Sequence, residues 1–596
     1  MIAVAVIASA AISALGRGRS ATDPGRPGEP ARSGLTEDHS LGLSHPLVGK
    51  VAFEATGPDR ATALLGLAAR DLARELERVF PDFRAQRLRL LVGTSAGPMQ
   101  AAQSAFAERA TRGRATRELA ELAPYFSPLA ELSRALGVTC EATQVLGACA
   151  SSTLAIGLGC RLLDQGEADL VIAGGYDALS SFVAAGFESL GALARGAPAP
   201  FRVGRDGMAL GEGAALLALV RRRDAAPVLG QILGFGASSD AVHQTAPDRS
   251  GSGVLAAAER ALADAGLAPD SVDLVSAHAT STPYNDAAES RALARLFGSR
   301  RVPVHAFKPQ IGHTLGAAGA LETLAALSAL ERGAVPATLG EGALEPDFPG
   351  ELATAATPRA LSTALKWSSA FGGLNAALVL AGAGVLGAAQ RSPARAVFKR
   401  ATSQVVHGLE LERLRALRPT AAALAERADS TTELALAAVA DLLIRSGHEL
   451  SPNAAIIVGT AAATVEQNER FEARRREGRP VEPRRFPPTS PSACAGVCSI
   501  VFGAHGPSFS VGSGLDAGRE ALRVARLLVA AGDVDEAVVI AVEDIGPVVG
   551  ELFTAAGLTV PRRGASAVLL AAAEPGARCD GEGEPAATET AVLDLR

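Results

Sequence analysis

The sequence predicts an α/β fold built from two related segments. From residue 50 to 384, short β-branched runs such as DLVIAGG and DLVSAHA alternate with stretches rich in alanine and leucine. That alternation is typical of strands joined by crossover helices, which form mostly parallel sheets covered by helices. A second stretch with the same alternation runs from about 403 to 573, and we call it the C-terminal segment.

The first strand is predicted at the N-terminus. MIAVAVIASAAISALG is apolar like a secretory signal, but no positive charge precedes the apolar run, as such a signal requires. The β-branched stretch IAVAVIA instead indicates a buried strand. Residues 17–49 are rich in glycine, proline, serine and arginine, and they predict a long surface loop.

Two further stretches lack the alternation and mark boundaries. Residues 385–402, VLGAAQRSPARAVFKRAT, predict a linker between the first α/β segment and the C-terminal segment. Residues 574–596 are polar and acidic, and they predict a disordered tail. The chain is therefore divided at these two places.

An internal repeat relates the two segments. LLVGT ends at Thr94 and IIVGT ends at Thr460, an offset of 366 residues. The same offset relates three further pairs: Gly137 and Gly503, Val145 and Val511, Gly166 and Gly532. The C-terminal segment is therefore interpreted as a duplicate of residues 1 to about 220.

Composition excludes several classes of protein. Hydrophobic residues make up 48% of the chain and the net charge is −6, which indicates a globular chain and argues against binding to a nucleic-acid backbone. No apolar run suggests a membrane span. Six cysteines in so long a chain form no disulfide framework, and Cys494 and Cys498 lack the further ligands of a zinc site. We expect a cytoplasmic protein.

Cys149, in VLGACASSTLAIGLG, is the first candidate for chemistry. A cysteine in a small-residue turn is often a buried, inert residue. In the repeat, however, Leu515 occupies the matching position within FSVGSGLDAG. The same turn is therefore predicted without sulfur, which weakens the structural interpretation of Cys149.

Two histidines lie in contexts that differ from ordinary core positions. His278 ends a strand in VSAHATSTPYND, and His313 precedes a helix in FKPQIGHTLGAAGALE. A lone histidine is more often a bystander, but two at strand-to-loop junctions, with a cysteine at a third, form a candidate active site. Lys308 adds weight because the chain has four lysines against 53 arginines, although an exposed lysine is the alternative.

These residue types suit acyl transfer. A helix N-terminus favours a thiolate on Cys149, and backbone N–H groups of the turn can stabilise an oxyanion. Two imidazoles can stabilise a second negative charge, as on an enolate formed by decarboxylation. WSSAFGGLNAALVL, with Phe371, can bring a further backbone N–H to the same pocket.

Five motifs together resemble the β-ketoacyl-[acyl-carrier-protein] synthases. They are, in order, GACASSTLAIGLG, PFRVGRDGMALGEGAA, AHATSTPYNDAAE, KPQIGHTLGAAGALE and AFGGLNAALVL. The resemblance spans residues 1–384. It implies the thiolase fold, a five-layered α-β-α-β-α core of two βαβαβαββ halves, which are residues 1–220 and 221–384.

The resemblance also implies roles for individual residues. Cys149 matches the acyl-accepting nucleophile, and His278 and His313 match the pair that supports decarboxylation. The residues matched to supporting roles around this triad are Lys308 and Glu322 beside the second histidine, Thr280 and Thr282 on the pantetheine arm, the second-layer acids Asp286 and Glu289, and the gating Phe371 with Gly372 and Gly373. The Cys-His-His set is the pattern of elongating members.

The resemblance implies an acyltransferase that performs a decarboxylative Claisen condensation of an acyl thioester with a malonyl thioester on acyl carrier protein. No cofactor is implied other than the phosphopantetheine that the carrier brings. Polyene-type polyketide elongation is favoured, fatty-acid elongation is the alternative, and a non-catalytic scaffold subunit is an alternative from another class. Three departures from the family, Trp367 for asparagine, Ala370 for glycine and Leu374 for threonine, affect substrate shape.

The C-terminal segment resembles the chain length factors encoded beside ketosynthases in aryl-polyene-type systems. It lacks the half that carries the histidines, so we expect no catalysis from it. We expect it to dock on residues 1–220 as an internal pseudo-dimer, with a homodimer as a further possibility. A decayed duplication with a purely structural role is the alternative.

Overall fold

The structure is a computed structural model, and the residues it describes are 3–23, 25, 31–55, 57–222, 228–385, 394–406, 411–418 and 422–573. The predicted tail at 574–596 lies outside the described residues, as does the middle of the predicted linker at 386–393. Within the described residues, no helix is both long and apolar enough to cross a membrane.

The strands are β1 (Val4–Ser13), β2 (Gly16–Arg17), β3 (Thr36–Glu37), β4 (Leu47–Gly49), β5 (Leu88–Gly93), β6 (Ala142–Leu146), β7 (Leu170–Asp177), β8 (Leu210–Gly211), β9 (Gly213–Arg221), β10 (Gly230–Ser239), β11 (Leu274–Ser276), β12 (Pro303–His305), β13 (Ala334–Val335), β14 (Glu351–Leu352), β15 (Thr357–Pro358), β16 (Thr363–Ser369), β17 (Leu374–Ala381), β18 (Val397–Val405), β19 (Ala455–Gly459), β20 (Ser508–Val511), β21 (Glu536–Glu543) and β22 (Gly564–Ala572).

The helices are α1 (Arg60–Val79), α2 (Met99–Arg112), α3 (Arg117–Leu122), α4 (Pro128–Leu136), α5 (Ser151–Gln165), α6 (Ser181–Ser189), α7 (Ser252–Ala265), α8 (Pro283–Phe297), α9 (Lys308–Ile311), α10 (Ala318–Arg332), α11 (Leu411–Leu417), α12 (Ala422–Ala425), α13 (Ser430–Ser446), α14 (Val465–Arg476), α15 (Ala493–Phe502), α16 (Ala517–Ala531) and α17 (Pro547–Ala555).

Two sheets and three helical layers form the part of the chain before residue 385. The first sheet has the order β1-β9-β7-β5-β6, and the second has β10-β17-β16-β11-β12-β14. Helices α5 and α10 are apolar on almost every side and pack between the sheets, as expected of helices buried all round. Helix α1 covers the outer face of the first sheet, and α7 covers that of the second. The five-layered arrangement is confirmed.

The sheets are mixed rather than mostly parallel, which corrects one expectation. The pairs β5–β6 and β5–β7 are parallel, whereas β7–β9, β9–β1 and β16–β17 are antiparallel. Buried apolar strands of both kinds look alike in sequence, so the alternation of strands and helices identified the class but not every strand direction. The predicted loop at 17–49 also holds three short pairings, through β2, β3 and β4.

The repeat is reproduced residue by residue. The offset of 366 carries α5 onto α16, β7 onto β21 and α6 onto α17 with identical bounds. Ala148 before α5 has φ +46°, and Gly514 before α16 has φ +63°, so both turns pass through the left-handed region. Both copies therefore share the backbone turn found at Cys149, although the second copy has no cysteine there.

One linker boundary is wrong. Residues 397–402 of the predicted linker lie in β18, which pairs with β22 along its length. β18 lies at the edge of its sheet, and its exposed residues are Phe398, Arg400 and Gln404. Its sequence FKRATSQ therefore resembled a linker because it lacks a buried strand's continuous apolar run.

The C-terminal segment completes the first sheet as an internal pseudo-dimer, which confirms the expected docking. Its strands follow the order β20-β19-β21-β22-β18, and β20 pairs antiparallel with β6. In that pairing Val145 lies opposite Val511, its own mate in the repeat. The axis that relates the two copies therefore passes through this pair of residues.

A buried ion cluster fastens the two copies behind the sheet. Arg161 of α5 is almost wholly buried, and its Nε donates to Asp533 Oδ2 at 2.8 Å while Nη1 lies 3.0 Å from Asp264 Oδ2. Burial raises the pKa of Asp533 and the Arg161 guanidinium opposes that rise. The cluster is thus one cation shared by two carboxylates from different parts of the chain.

Replacing Arg161 tests this fastening. Arg161→Met leaves Asp264 and Asp533 buried without their cation, so we expect a loss of about 3 kcal/mol in the free energy of unfolding and a lower melting temperature at neutral pH. Arg19→Met is the matched control, because the Arg19 side chain is 81% exposed and its ion pair among the described residues is with Glu331, itself 55% exposed. Equal melting temperatures for the two variants would contradict the assignment.

Candidate active site

The nucleophile candidate lies where β6 ends and α5 begins. The Ser151 hydroxyl holds the turn, because its Oγ accepts from Gly147 N at 2.8 Å and lies 2.6 Å from Ala148 O. A Cβ at Gly147 would lie 2.7 Å from Leu374 Cδ2, so a larger residue there would require the Leu374 side chain on β17 to shift. Cys149 is placed at the N-terminus of α5 with 6% of its surface exposed.

Both histidines reach the same cavity as the cysteine. Cys149, His278 and His313 line a cavity of about 380 Å³ that Thr280 and Thr282 also line. The two imidazole centroids are 5.4 Å apart with their planes nearly perpendicular, and both rings are buried. The structure therefore brings together three residues that are up to 164 positions apart in the chain.

The hydrogen bonds of each ring select its tautomer. Lys308 Nζ lies 3.2 Å from His278 Nδ1, and Leu315 N donates to His313 Nδ1 at 3.3 Å. A lysine nitrogen and a backbone N–H act here as donors, so Nδ1 is the acceptor in both rings and Nε2 carries the hydrogen. Burial first, and Lys308 second, lower the pKa of both histidines well below its usual value. Both rings are neutral Nε2–H donors.

A carboxylate with two lysines lies beneath the histidines. Glu322 Oε1 accepts from Lys308 Nζ at 2.5 Å, and Glu322 Oε2 accepts from Lys366 Nζ at 2.8 Å. Lys366 is fully buried and also donates to Ser368 Oγ at 2.7 Å, which in turn lies 2.9 Å from Thr153 Oγ1 in α5. Lys308 thus contacts the first histidine, His278, rather than the second histidine as the resemblance implied. Through Glu322, Lys366 and Ser368 this network joins His278 to the helix of Cys149.

Glu289 and Asp286 hold the loop that follows His278. Glu289 accepts from the backbone N–H groups of His278 at 2.7 Å and Ala279 at 2.6 Å, and Trp367 Nε1 donates to the same carboxylate. Asp286 accepts from Ser281 N at 3.1 Å. Ala279 and Ser281 have φ of +45° and +64°, a strained conformation that these carboxylates stabilise.

Phe371 lies at the boundary between the main cavity and a smaller one. The smaller cavity, of about 30 Å³, begins at Cys149 and is lined by Phe187, Phe371 and Phe486. Phe371 packs against Phe187 at 5.6 Å between ring centroids, and Phe187 packs against Phe486 at 5.2 Å. Phe486 belongs to the C-terminal segment, so the second copy forms part of the wall beside the cysteine.

Each predicted site residue lies at or beside the main cavity. Thr280 and Thr282 line it and lie 2.9 Å apart at their hydroxyl oxygens. Gly372 and Gly373 both have φ +85°, a conformation that suits glycine in the tight loop after Phe371. Lys308, Glu322, Asp286 and Glu289 lie behind the histidines and do not line the cavity themselves, although Lys308 and Glu289 contact His278, which does.

Sequence reasoning missed three residues of this region: Lys366, Asn285 and Phe486. The rarity of lysine that singled out Lys308 applies equally to Lys366 and could have found it. Asn285, whose Nδ2 donates to Glu289 at 2.7 Å, also lines the cavity. Phe486 carries no local signal, because its place depends on the docking of the C-terminal segment.

Burial and charge act in opposite directions on the nucleophile. Burial raises the pKa of the Cys149 thiol to about 12, and Lys308 lowers it. The thiol is therefore protonated at neutral pH in the free protein. The Cys149 thiol must therefore lose its proton as it reacts with an electrophile in the cavity.

Two family models match this chain, and so do curated proteins. The family model described as "Beta-ketoacyl synthase, N-terminal domain" matches residues 23–225 and again 400–584, and that described as "Beta-ketoacyl synthase, C-terminal domain" matches residues 229–341. The mitochondrial 3-oxoacyl-[acyl-carrier-protein] synthase of Arabidopsis thaliana is 34% identical over 290 residues, covering 44% of this chain and 63% of its own. The 3-oxoacyl-[acyl-carrier-protein] synthase 2 of Staphylococcus aureus (strain N315) is 30% identical over 346 residues, covering 55% and 82%.

Solved structures match both parts of the chain. "PfaC Keto synthase-Chain length factor" has a TM-score of 0.76 over 96% of this chain and 78% of its own, and at 18% identity it shows the fold alone. "The ishigamide ketosynthase/chain length factor" has a TM-score of 0.60 at 30% identity, covering 64% of this chain and 100% of its own. A complex of the ketosynthase ApeO with its chain length factor ApeC from Xenorhabdus doucetiae has a TM-score of 0.56 at 28% identity, covering 64% and 98%.

The ionisation of Cys149 gives a testable pH dependence. Because burial raises the pKa of the thiol to about 12, the rate of its alkylation by iodoacetamide should keep rising from about pH 7 to about pH 10. Lys308→Met should slow alkylation at each pH, since Lys308 is the group that lowers this pKa, whereas Lys50→Met should leave the rate unchanged. Mass spectrometry identifies the alkylated residue. A plateau below about pH 7 would contradict the prediction.

Proposed function

The chain belongs to the beta-ketoacyl synthase family, and from that premise we propose that it elongates acyl chains by decarboxylative Claisen condensation on acyl carrier protein. The observation that carries the proposal is the convergence of Cys149 with two neutral Nε2–H imidazoles on one cavity. A thiol provides the covalent acyl acceptor, and the two imidazoles provide donors for an enolate oxygen. The protein is an acyltransferase of the 3-oxoacyl-[acyl-carrier-protein] synthase type.

The first half-reaction transfers an acyl group to the cysteine. The Cys149 sulfur attacks the thioester carbonyl carbon of an acyl carrier, the new carbon–sulfur bond forms, and the carrier's thiol leaves with the proton that Cys149 gives up. Lys308 and the N-terminus of α5 favour the developing thiolate against the effect of burial. The backbone N–H groups of Cys149 and Phe371 are the proposed donors to the tetrahedral oxyanion.

The second half-reaction forms the carbon–carbon bond. A malonyl thioester loses carbon dioxide, and the electron pair of the broken bond becomes an enolate whose oxygen accepts from His278 Nε2–H and His313 Nε2–H. The enolate carbon then attacks the Cys149 thioester, and the cysteine sulfur leaves as a thiolate that takes up a proton from solvent to restore the thiol. Neutral imidazoles suit this step because they need no proton from solvent and are held by Lys308 and Leu315 before the substrate arrives.

The proposed partner is an acyl carrier protein with its phosphopantetheine arm. Thr280 and Thr282 place two hydroxyls in the cavity wall, where they can donate to the amide carbonyls of such an arm. The chain itself is proposed to require no cofactor of its own, since a thiol and two imidazoles account for both half-reactions. We place the protein in the cytoplasm, because the five cysteines of the described part are all free.

Polyene-type polyketide elongation is the proposed pathway class. Two solved structures at 30% and 28% identity are ketosynthases that pair with chain length factors, and this chain holds both parts in one polypeptide. Fatty-acid elongation is the second candidate, favoured by the likeness to the 3-oxoacyl-[acyl-carrier-protein] synthases. A non-catalytic scaffold is disfavoured by the complete Cys-His-His set.

The C-terminal segment is proposed to limit product length. Phe486 lines the small cavity that begins at Cys149, and it packs so closely on α6 that a Cβ at Gly186 would lie 2.2 Å from its ring. A growing acyl chain that leaves Cys149 in this direction meets the Phe486 ring. The second copy contributes no nucleophile, since Leu515 stands in place of the cysteine. Its proposed role is to shape the cavity in which the first copy reacts.

Substitution of the cysteine tests the enzyme proposal. Cys149→Ala should abolish both acylation and condensation, while Cys140→Ala should leave both intact, because Cys140 lies outside the cavity. Cys149→Gln should block acyl transfer and retain decarboxylation of malonyl carrier, which should cease when His313→Ala is added. Intact-mass measurement of the carrier provides every readout. Full-rate condensation by Cys149→Ala would refute the proposal.

Substitution of the phenylalanine tests the length proposal. Phe486→Ala should lengthen the carrier-bound product by at least one two-carbon unit, because the deleted ring opens space beyond Cys149. Phe398→Ala is the control, since Phe398 lies in the same segment on the edge strand β18 and is 40% exposed. Thermal melting excludes unfolding as the cause. An unchanged product distribution in an active Phe486→Ala enzyme would show that the segment does not limit length.

A further inference from the structure

Helix α15 of the C-terminal segment packs directly on the loop that carries Phe371. Gly496 in the middle of α15 faces Gly372 backbone to backbone. A Cβ at Gly496 would lie 2.7 Å from Gly372 Cα and 3.0 Å from Gly372 O. Side-chain carbons do not approach backbone atoms this closely, so the contact requires glycine at position 496.

A second set of contacts joins the end of α15 to the neighbouring loop. Ser239, the last residue of β10, donates from its N–H to His505 O at 3.0 Å, and its hydroxyl lies 3.2 Å from Ser499 Oγ. The loop that begins after Ser239 then meets the Phe371 loop twice, through Asp240 N to Gly373 O at 2.8 Å and Gly372 N to Gln244 O at 2.7 Å. Both loops at the cavity rim therefore rest on the C-terminal segment.

The helix carries an unfavourable residue at the point of contact. Glycine in a helix interior costs about 1 kcal/mol relative to alanine. The rest of α15, from Ala493 to Phe502, is small or apolar and well suited to a buried helix. The close approach to Gly372 is a local physical reason for glycine at this position.

Phe371 is held on its other side by the same segment. Its ring packs on Phe187, and Phe187 packs on Phe486 of the C-terminal segment. The Phe371 loop thus lies between α15, which touches its backbone, and an aromatic row that ends in Phe486. Gly372 and Gly373 are both at φ +85°, a conformation that other residues rarely adopt, so the shape of the loop depends on these two glycines.

We propose that Gly496 is a positioning residue for acyl transfer: by its contact with Gly372, α15 holds the Phe371 loop, and with it the Phe371 backbone N–H, where the tetrahedral oxyanion forms. The inference rests on the proposed function. It gives the C-terminal segment a part in the rate of acylation that is separate from any part in product length. At position 496 itself the role requires no side chain, only the absence of one.

The test compares two glycine-to-alanine substitutions inside helices. Gly496→Ala introduces the Cβ that meets Gly372, whereas Gly550→Ala in α17 introduces one into open space. Both variants gain the same intrinsic helix preference, so neither is expected to unfold for want of helix stability. The measurements are acylation of Cys149 from an acyl carrier, alkylation of Cys149 by iodoacetamide, and thermal melting.

We expect Gly496→Ala to acylate at least about tenfold more slowly, since displacement by a fraction of an ångström misplaces the N–H donor. Alkylation needs no oxyanion donor, so its rate should be unchanged or higher. Gly550→Ala should match the wild type in both reactions. Wild-type acylation by Gly496→Ala would overturn the inference.

A second variant covers the case in which Gly496→Ala is poorly folded. Ser499→Ala removes the hydroxyl's contact to Ser239 Oγ and its hydrogen bond to Gly496 O at 3.0 Å, and we expect slower acylation with unchanged alkylation. If Gly496→Ala loses both reactions and Ser499→Ala acylates at the wild-type rate, the contact is merely structural and the inference fails. Failure of the proposed function is distinct, because the wild type itself would then not acylate.

Discussion

The antiparallel pairing of β6 with β20 is the interaction on which the rest of the architecture depends. β6 leads directly into the turn of Cys149, and by itself it would be the open edge of the first sheet. An open edge exposes unpaired N–H and C=O groups and invites association with other chains. Pairing with β20 satisfies that edge and extends one sheet through both copies. It also places α15 and Phe486 at the rim of the cavity.

The two copies share one hydrogen-bonding arrangement, in which an acid at the end of one strand accepts from the residues that follow a neighbouring strand. In the first copy Asp177 accepts from Thr94 Oγ1 at 2.7 Å and from the N–H groups of Ser95 and Ala96, and in the second copy Glu543 accepts from the matching Thr460, Ala461 and Ala462. Asp177 has one further donor, Gly316 N at 2.7 Å, three residues after His313. The acid that closes one strand end in both copies thus also holds the loop after His313 in the first. The second copy keeps the shared geometry with Leu515 in place of the cysteine.

Local motifs and the repeat made much of the fold and the centre of the site predictable. Cys149, His278 and His313 each lie in a distinctive glycine- and threonine-rich context, and the offset of 366 gave the turn without sulfur as a comparison. What escaped prediction depends on contacts between distant segments. The positions of Phe486 and Gly496 at the site depend on the pairing of β20 with β6, which the sequence does not show. Residues 397–402 resemble a linker because an edge strand is half polar. Lys366 was predictable from lysine rarity, but its role requires knowing that β16 passes beneath Glu322.

Covalent fusion changes what kind of assembly this is. Because β20 of the same chain occupies the edge of β6, no second chain can pair there, and the association is intramolecular. An intramolecular contact has an effective concentration set by the tether and is insensitive to dilution. The stoichiometry of the two copies is therefore one to one in every molecule, at any expression level. A homologous pair of separate subunits can exchange partners, whereas the two copies in this chain are tethered, so Cys149 is matched with the same companion surface.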